Sequence, residues 1–238
     1  MNQIIESVRK ELRENCNLQT KISGMNFFKE KVKICGVKTA LVSKIAKEYR
    51  AQMKDMKKAE IFELCKELWK SEVMEESFIA CNWCYSLRNQ FEKKDFALFE
   101  SWVSKYITNW ASCDTFCNHT LGTFIEMYPE YIRELKKWSH SSNRWMRRAS
   151  AMTFIIPAKK GKFLKDIFQI ADSLLIDSDD LVQKGYGWML KAASQSHQNE
   201  VFSYVIKNKV KMPRTALRYA IEKMPVNLKR KAMEKISE

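Results

Sequence analysis

Five side chains stand out for the chemistry that their types and spacing allow. Trp110 and Asp114 are four residues apart, Lys184 and Trp188 are four apart, and Arg148 lies between the two pairs. On a helix, residues i and i+4 share a face, so each pair would set an aromatic plane beside a charge. A positioned carboxylate can act as a base or stabilise a developing cation. An indole face attracts cations, each contact being worth about 0.5–2 kcal/mol. Arg and Lys grip phosphate and carboxylate groups. Each residue also has an ordinary use: an Asp ahead of an apolar run caps a helix, a Trp at helical spacing fills a core, and an Arg decorates a surface. Trp69, Trp83, Trp102 and Trp138 are assigned to the core on this ground, and Trp145, three residues before Arg148, to packing of that helix.

Other constellations carry less. Cys81-Asn82-Trp83-Cys84 has zinc or redox spacing, but it falls in a helical apolar segment without a second Cys pair, and buried free thiols are the better reading. Cys113, Cys117 and His119 lack a fourth ligand. The chain contains no Gly-Lys phosphate loop, nucleophile elbow or HExxH helix. No metal or cofactor is expected.

The elements that must position these residues are helices. Ile61, Leu64, Cys65 and Leu68 follow i, i+3, i+4, i+7 spacing, and the pattern recurs almost throughout, predicting about twelve helices. Expected starts are Thr39, Asp55, Ser142 and either Asp177 or Ser178. Pro129 and Pro213 suit first turns, and Gly36, Gly122 and Gly161 suit helix ends or loops. Small residues recur at Ala80, Thr115, Ala149, Gly185 and Ala220, with intervals of 35, 34, 36 and 35. A small residue at a fixed place lets one helix approach the next closely, which predicts an all-α, HEAT-like solenoid of helix pairs with a concave basic groove. In that phase Ile79, Asp114, Arg148, Lys184 and Tyr219 project alike, and Trp110 and Trp188 share their face.

Composition agrees with this reading. Six Gly and four Pro in 238 residues are too few for the turns of a sandwich or barrel, and 45% hydrophobic residues exclude disorder. One domain over 1–238 is expected. No apolar run approaches the length of a membrane span, the first residues lack a signal peptide's apolar centre, and seven scattered Cys suit a reducing compartment, so a cytoplasmic protein with free thiols is expected. The net charge of +14 is localised. Residues 136–165 hold nine basic residues and no carboxylate, residues 201–238 hold ten basic and three acidic, and the remainder is net −2. A single-sign field of this kind attracts a polyanion, foremost nucleic acid.

Three elements in order then resemble the AlkD family of DNA alkylation repair proteins, alkylpurine DNA glycosylases built from HEAT-like repeats: Trp110-Ala111-Ser112-Cys113-Asp114, Trp145-Met146-Arg147-Arg148-Ala149, and Gln183-Lys184-Gly185-Tyr186-Gly187-Trp188. Leu121-Gly122, Gly36-Val37 and the chain length agree. The resemblance implies a cofactor-free, monomeric enzyme that hydrolyses the N-glycosidic bond of cationic N3- or N7-alkylated purines in duplex DNA. It implies Asp114 as the catalytic carboxylate, Trp110, Trp188 and Phe27 as substrate-binding residues, and Arg148, Arg147 and Lys184 as phosphate contacts. The cytoplasm would be its setting, with association to the nucleoid in a bacterial source. Two departures bear on rate and lesion range: Asn109-Trp110-Ala111 stands where the family often has Trp-Trp-Asp, and Phe27 where a Tyr is expected. They leave open a non-catalytic module that binds DNA structure or damaged DNA. A scaffold for an acidic protein is a third reading.

Overall fold

Apolar residues at helical spacing produce helices with almost no interruption. The computed structural model describes residues 2–234, and among them there are sixteen α-helices and no strand beyond an isolated bridge between Lys33 and Val73. The number exceeds the expected twelve because regular runs are broken: a π-helical turn occupies Cys117–Leu121, a 3-10 turn occupies Pro129–Tyr131, and Phe163 takes a positive φ of 63° where a new helix begins. No helix among the described residues is long and apolar enough to cross a membrane.

The described residues divide into two compact units, one ending at Phe116 and the other beginning at Cys117. The first contains α1 (Asn2–Glu14), α2 (Leu18–Phe27), α3 (Thr39–Gln52), α4 (Lys58–Lys70), α5 (Met74–Ser86), α6 (Asp95–Tyr106) and α7 (Trp110–Phe116). Within it α5 packs against α3, α4 and α7. Trp69, Trp83, Trp102, Phe99 and Phe116 are buried at its centre, and the Trp83 Nε1–H donates to the Ala46 carbonyl at 2.8 Å. The second unit contains α8 (Gly122–Met127), α9 (Ile132–Trp138), α10 (Arg144–Met152), α11 (Ile155–Lys159), α12 (Leu164–Ser173), α13 (Asp180–Ala193), α14 (Gln198–Asn208), α15 (Arg214–Ile221) and α16 (Val226–Met233). Here α13 packs on α10 and on α15. Trp138 is buried, and Trp145 packs beneath the Arg144 guanidinium, which lies 5.1 Å from its ring centroid.

The helices that carry the recurring small residues are the ones that stack within each unit: α5 on α7, then α10 on α13 and α13 on α15. Ala80, Ala149, Gly185 and Ala220 are buried and Thr115 is half-buried. Side-chain hydrogen bonds report the same period. The Ser77 and Ser112 hydroxyls meet at 2.6 Å across a separation of 35 residues, and Arg144 Nη2 donates to Asp179 Oδ1 at 2.9 Å, again 35 residues away. Of the positions expected to project alike, Ile79 is fully buried in the α5 core, Asp114 and Arg148 are also buried, and Lys184 and Tyr219 are half-buried.

A second periodic signal lies in the caps. Asn109, Asn143 and Asp179 each stand six residues before a recurring small residue. Asn109 Oδ1 accepts the Ser112 N–H at 2.9 Å, Asn143 Oδ1 the Trp145 N–H at 2.9 Å, and Asp179 Oδ1 the Leu181 and Val182 N–H groups at 2.9 and 3.3 Å. The expected starts at Ser142 and at Asp177 or Ser178 therefore shift to Asn143 and Asp179, whose amide or carboxylate oxygens reach the first free N–H groups. The start expected near Asp55 shifts to Lys58, because Glu60 reaches back to the Lys57 N–H at 2.7 Å. Thr39 is the first residue of α3, whose cap position is Lys38, and Pro213 sits at the cap position of α15.

Gly187 shows how close the stacking is. A Cβ there would lie 2.7 Å from the Tyr219 Cβ and 2.8 Å from the Ala216 carbonyl oxygen, whereas one at Gly185 would lie 3.4 Å from the Arg148 side chain. Gly187→Ala should therefore push α15 off α13 and lower the free energy of unfolding by about 1–3 kcal/mol. Gly185→Ala should change it by less than about 1 kcal/mol, since improved helix propensity offsets mild crowding. Urea denaturation midpoints of the two variants check this ordering.

Candidate functional site

In the first unit the site is built on a chain corner that backbone chemistry makes rigid. Gly36 has φ +98°, and a Cβ there would fall 2.6 Å from the Asn17 carbonyl oxygen, so only glycine fits. The Gly36 carbonyl accepts the Asn17 N–H at 3.0 Å. Opposite, the buried Glu75 carboxylate, in the first turn of α5, accepts the N–H groups of Cys35, Gly36 and Val37 at 3.0, 2.8 and 3.2 Å. Beside it Glu76 is paired with Arg9 at 3.0 Å. Hydrogen bonds to a charged group contribute roughly 1.5–3 kcal/mol each. Three of them offset the several kcal/mol that desolvating a carboxylate costs.

This corner sets the direction of α2, which buries none of its residues and ends at Phe27, 71% exposed. The Phe27 ring lies 5.6 Å from the Trp110 ring and the Phe28 ring 5.2 Å from it, all between centroids. The three aromatics border an open cavity of about 620 Å³ whose other walls include Ile34, Met74 and Phe78. Asp114 lies one turn beyond Trp110 on α7 and is only 7% exposed. Asn109, where the resemblance leads one to expect an aromatic, is the cap of this helix, and Ala111 borders the cavity. The structure thus brings together Phe27, Trp110 and the helix carrying Asp114. Phe28 escaped sequence reasoning, although its place beside Phe27 was a signal. Glu75 gave none, because a buried carboxylate reads like any surface Glu.

In the second unit every proposed phosphate contact already has a partner. Arg148 is buried, and its guanidinium donates to the Leu181 carbonyl beside Gly185. Arg147 pairs with Asp177 at 2.6 Å and also donates to the Ser141 and Ser142 carbonyls. Lys184 pairs with Asp180 at 2.7 Å. Trp188 is half-buried beneath Lys191, whose Nζ lies 5.6 Å from its ring and 5.4 Å from that of Tyr219.

The carboxylate-free stretch is not a bare positive field in three dimensions. Acidic residues flanking it in sequence fold back on it: Asp166 on Lys136 at 2.5 Å, Glu134 on Lys137 at 2.8 Å, Asp179 on Arg144 at 2.7 Å and Glu126 on Lys160 at 2.9 Å. In the C-terminal stretch, by contrast, Arg214 and Arg218 of α15 are exposed and, among the described residues, meet no carboxylate. Among the described residues no group of three or more His, Cys, Asp or Glu could hold a metal ion.

Comparison with known proteins matches residues 8–224 to a family model described as DNA alkylation repair enzyme. A solved structure, described as a predicted DNA alkylation repair enzyme from Enterococcus faecalis, superposes with a TM-score of 0.79 at 14% identity, covering 89% of this chain and 98% of that one. That likeness concerns the fold. No curated protein sequence matches the chain.

The Arg144–Asp179 pair ties the α10 start to the α13 cap, and its charge state should show in stability. Burial by itself would raise the Asp179 carboxyl, but the hydrogen bond and charge of Arg144, with the Leu181 and Val182 N–H groups, hold it below its ordinary value of 3.8. Such a group stabilises the fold at pH values above its unfolded pKa, and that contribution is lost as pH falls through the folded value. Asp179→Ala should cost about 1–2 kcal/mol at neutral pH. The gap between wild-type and variant urea midpoints should narrow once pH falls below about 4.

Proposed function

Since the chain belongs to the DNA alkylation repair enzyme family, we propose that it is a DNA glycosylase acting on cationic N3- or N7-alkylated purines in duplex DNA. The observation that carries the reading is Asp114, buried one turn beyond Trp110 on a helix whose first ring faces Phe27 and Phe28. Alkylation at a purine ring nitrogen leaves the base positively charged, so it departs without a general acid. As the C1′–N bond breaks, its electron pair leaves with the base, which becomes neutral, and positive charge moves to the sugar. The Asp114 carboxylate stabilises that charge and orients the water that adds to C1′, accepting its proton for release to solvent. The products are free base and an abasic site. No lysine is assigned as a nucleophile, so the strand is left uncut.

Trp110 and Phe27 supply π faces for the cationic nucleotide. Phe27 keeps this surface without the hydroxyl of a Tyr. In the second unit Trp188 offers another aromatic face to the duplex. Arg147, Arg148 and Lys184 position phosphates, but a phosphate must there exchange with Asp177, the Leu181 carbonyl or Asp180. Most sequence-independent affinity therefore comes from exposed cations such as Arg214 and Arg218.

Release of 3-methyladenine and 7-methylguanine from alkylated duplex DNA tests the chemistry. Asp114→Asn should lower single-turnover release at least about a hundredfold while leaving duplex affinity nearly unchanged. Wild-type release no faster than spontaneous loss, or a variant equal to wild type, would sink the enzymatic reading, and retained binding without release would favour the non-catalytic one. Arg214→Ala and Arg218→Ala should each reduce the slope of log affinity against log salt by about 1, whereas Lys136→Ala, which loses a cation already paired with Asp166, should change it far less.

A further inference from the structure

Two thiols stand beside the cavity wall and take no part in the proposed chemistry. Cys16, at the corner between α1 and α2, is exposed. Cys35, in the loop ahead of α3, is partly buried, and the Cys16 thiol, which donates to the Leu12 carbonyl at 3.2 Å, lies near enough to act on it electrostatically. The backbone holds the two segments side by side, because the residues that follow these cysteines are joined by the 3.0 Å bond from the Asn17 N–H to the Gly36 carbonyl. Glu75 holds the Cys35 N–H from the other side at 3.0 Å. The other five cysteines, at 65, 81, 84, 113 and 117, are buried away from oxidants. Both partners adjoin the candidate site: α2 begins two residues after Cys16 and carries Phe27, and Ile34 and Val37, on either side of Cys35 and Gly36, line the cavity.

We propose that Cys16 and Cys35 form a modification site for peroxide, closing reversibly to an intramolecular disulfide that staples the α1–α2 corner to the cavity wall. The Cys16 thiol gives up its proton, its thiolate attacks one oxygen of hydrogen peroxide, the O–O bond breaks, and the departing hydroxide takes up a proton, leaving Cys16 sulfenic acid and water. The Cys35 sulfur then attacks the Cys16 sulfur, the S–S bond forms, the S–O bond breaks, and the departing hydroxide leaves as water with the Cys35 proton. In sum two thiols are oxidised, one peroxide is reduced and two waters form. The order follows from the surroundings. Cys16 is the exposed sulfur and meets the oxidant first, while burial, then the charge of Glu75, push the Cys35 thiol up, so Cys35 does not compete for peroxide and reacts only with the sulfenic acid beside it.

Equimolar hydrogen peroxide, followed by intact-mass measurement and peptide mapping of the full chain, tests this without a variant. The expected result is loss of two hydrogens, a single Cys16–Cys35 cross-linked peptide within one chain, and full reversal by dithiothreitol. Cys35→Ser should instead leave a Cys16 sulfenic acid that dimedone traps, and Cys16→Ser should leave Cys35 reduced. Cys16 passing to sulfinic acid, or joining two chains, with Cys35 still a thiol in the wild type overturns the proposal. In the oxidised protein the amides of residues 17–37 should exchange hydrogen about tenfold more slowly, and exchange as fast as in the reduced protein overturns the staple. None of these readouts depends on DNA or on base release.

Discussion

Close approach of successive helices is the constraint on which the rest depends. Within each unit the stacked helices meet at small residues about one repeat apart, and α13 carries two glycines, Gly185 against α10 and Gly187 against α15. Each glycine in a helix interior costs about 0.5–1 kcal/mol relative to alanine. That cost is offset only where the neighbouring helix comes near enough to use the missing methyl. At Gly187 it does, since the Ala216 backbone and the Tyr219 Cβ occupy the space. Close stacking also brings residues about 35 apart into hydrogen-bonding range, so that Ser77 meets Ser112 and Arg144 meets the cap of α13. Positions of charged and aromatic groups along the helices follow from that register.

The fold was legible because its signals are local or periodic. Helical spacing, the scarcity of Gly and Pro, and the recurring small residue each act through backbone geometry and short-range packing, and each appears in the structure. The caps were less so. Asn143 and Asp179 have Ser142, Asp177 and Ser178 as neighbours, all able to cap, and only the position of the first free N–H groups decides among them. Asp177 is in any case committed to Arg147. Ile79 is more deeply covered than Lys184 or Tyr219, because a periodic count does not say how fully neighbouring helices cover each position.

Charge was misread for a different reason. A window along the sequence weighs only its own residues, whereas ion pairing weighs everything within about 4 Å. Glu126, Glu134, Asp166, Asp177 and Asp179 all lie just outside the carboxylate-free stretch and fold back on its cations. The exposed pairs contribute little to stability, yet they change what the surface offers a polyanion. Lys136 and Lys160 already hold a carboxylate, while Arg218 meets none among the described residues. The aromatic part of the site was half legible. Phe27 and Trp110 could be named, but their contact depends on Gly36 and Glu75 fixing the corner before α3.

On the proposed chemistry, the low exposure of Asp114 is itself part of how the site discriminates. Two unit charges about 4 Å apart interact by roughly 1 kcal/mol in water and roughly 4 kcal/mol at the effective dielectric near a protein surface. A carboxylate shielded on α7 therefore responds strongly to positive charge that develops on a sugar and weakly to a neutral nucleotide. An unmodified purine brings no charge of its own and needs a proton before it can leave, and the groups assigned to the site include no acid to supply one. A cationic purine brings its charge with it. The aromatic rings act in the same direction, since a π face favours the cationic nucleotide over the neutral one by electrostatics and not by shape. Selectivity in such a site would follow from the charge of the lesion, with the size of the alkyl group secondary, and the open form of the cavity bounded by Phe27, Phe28 and Trp110 is compatible with that.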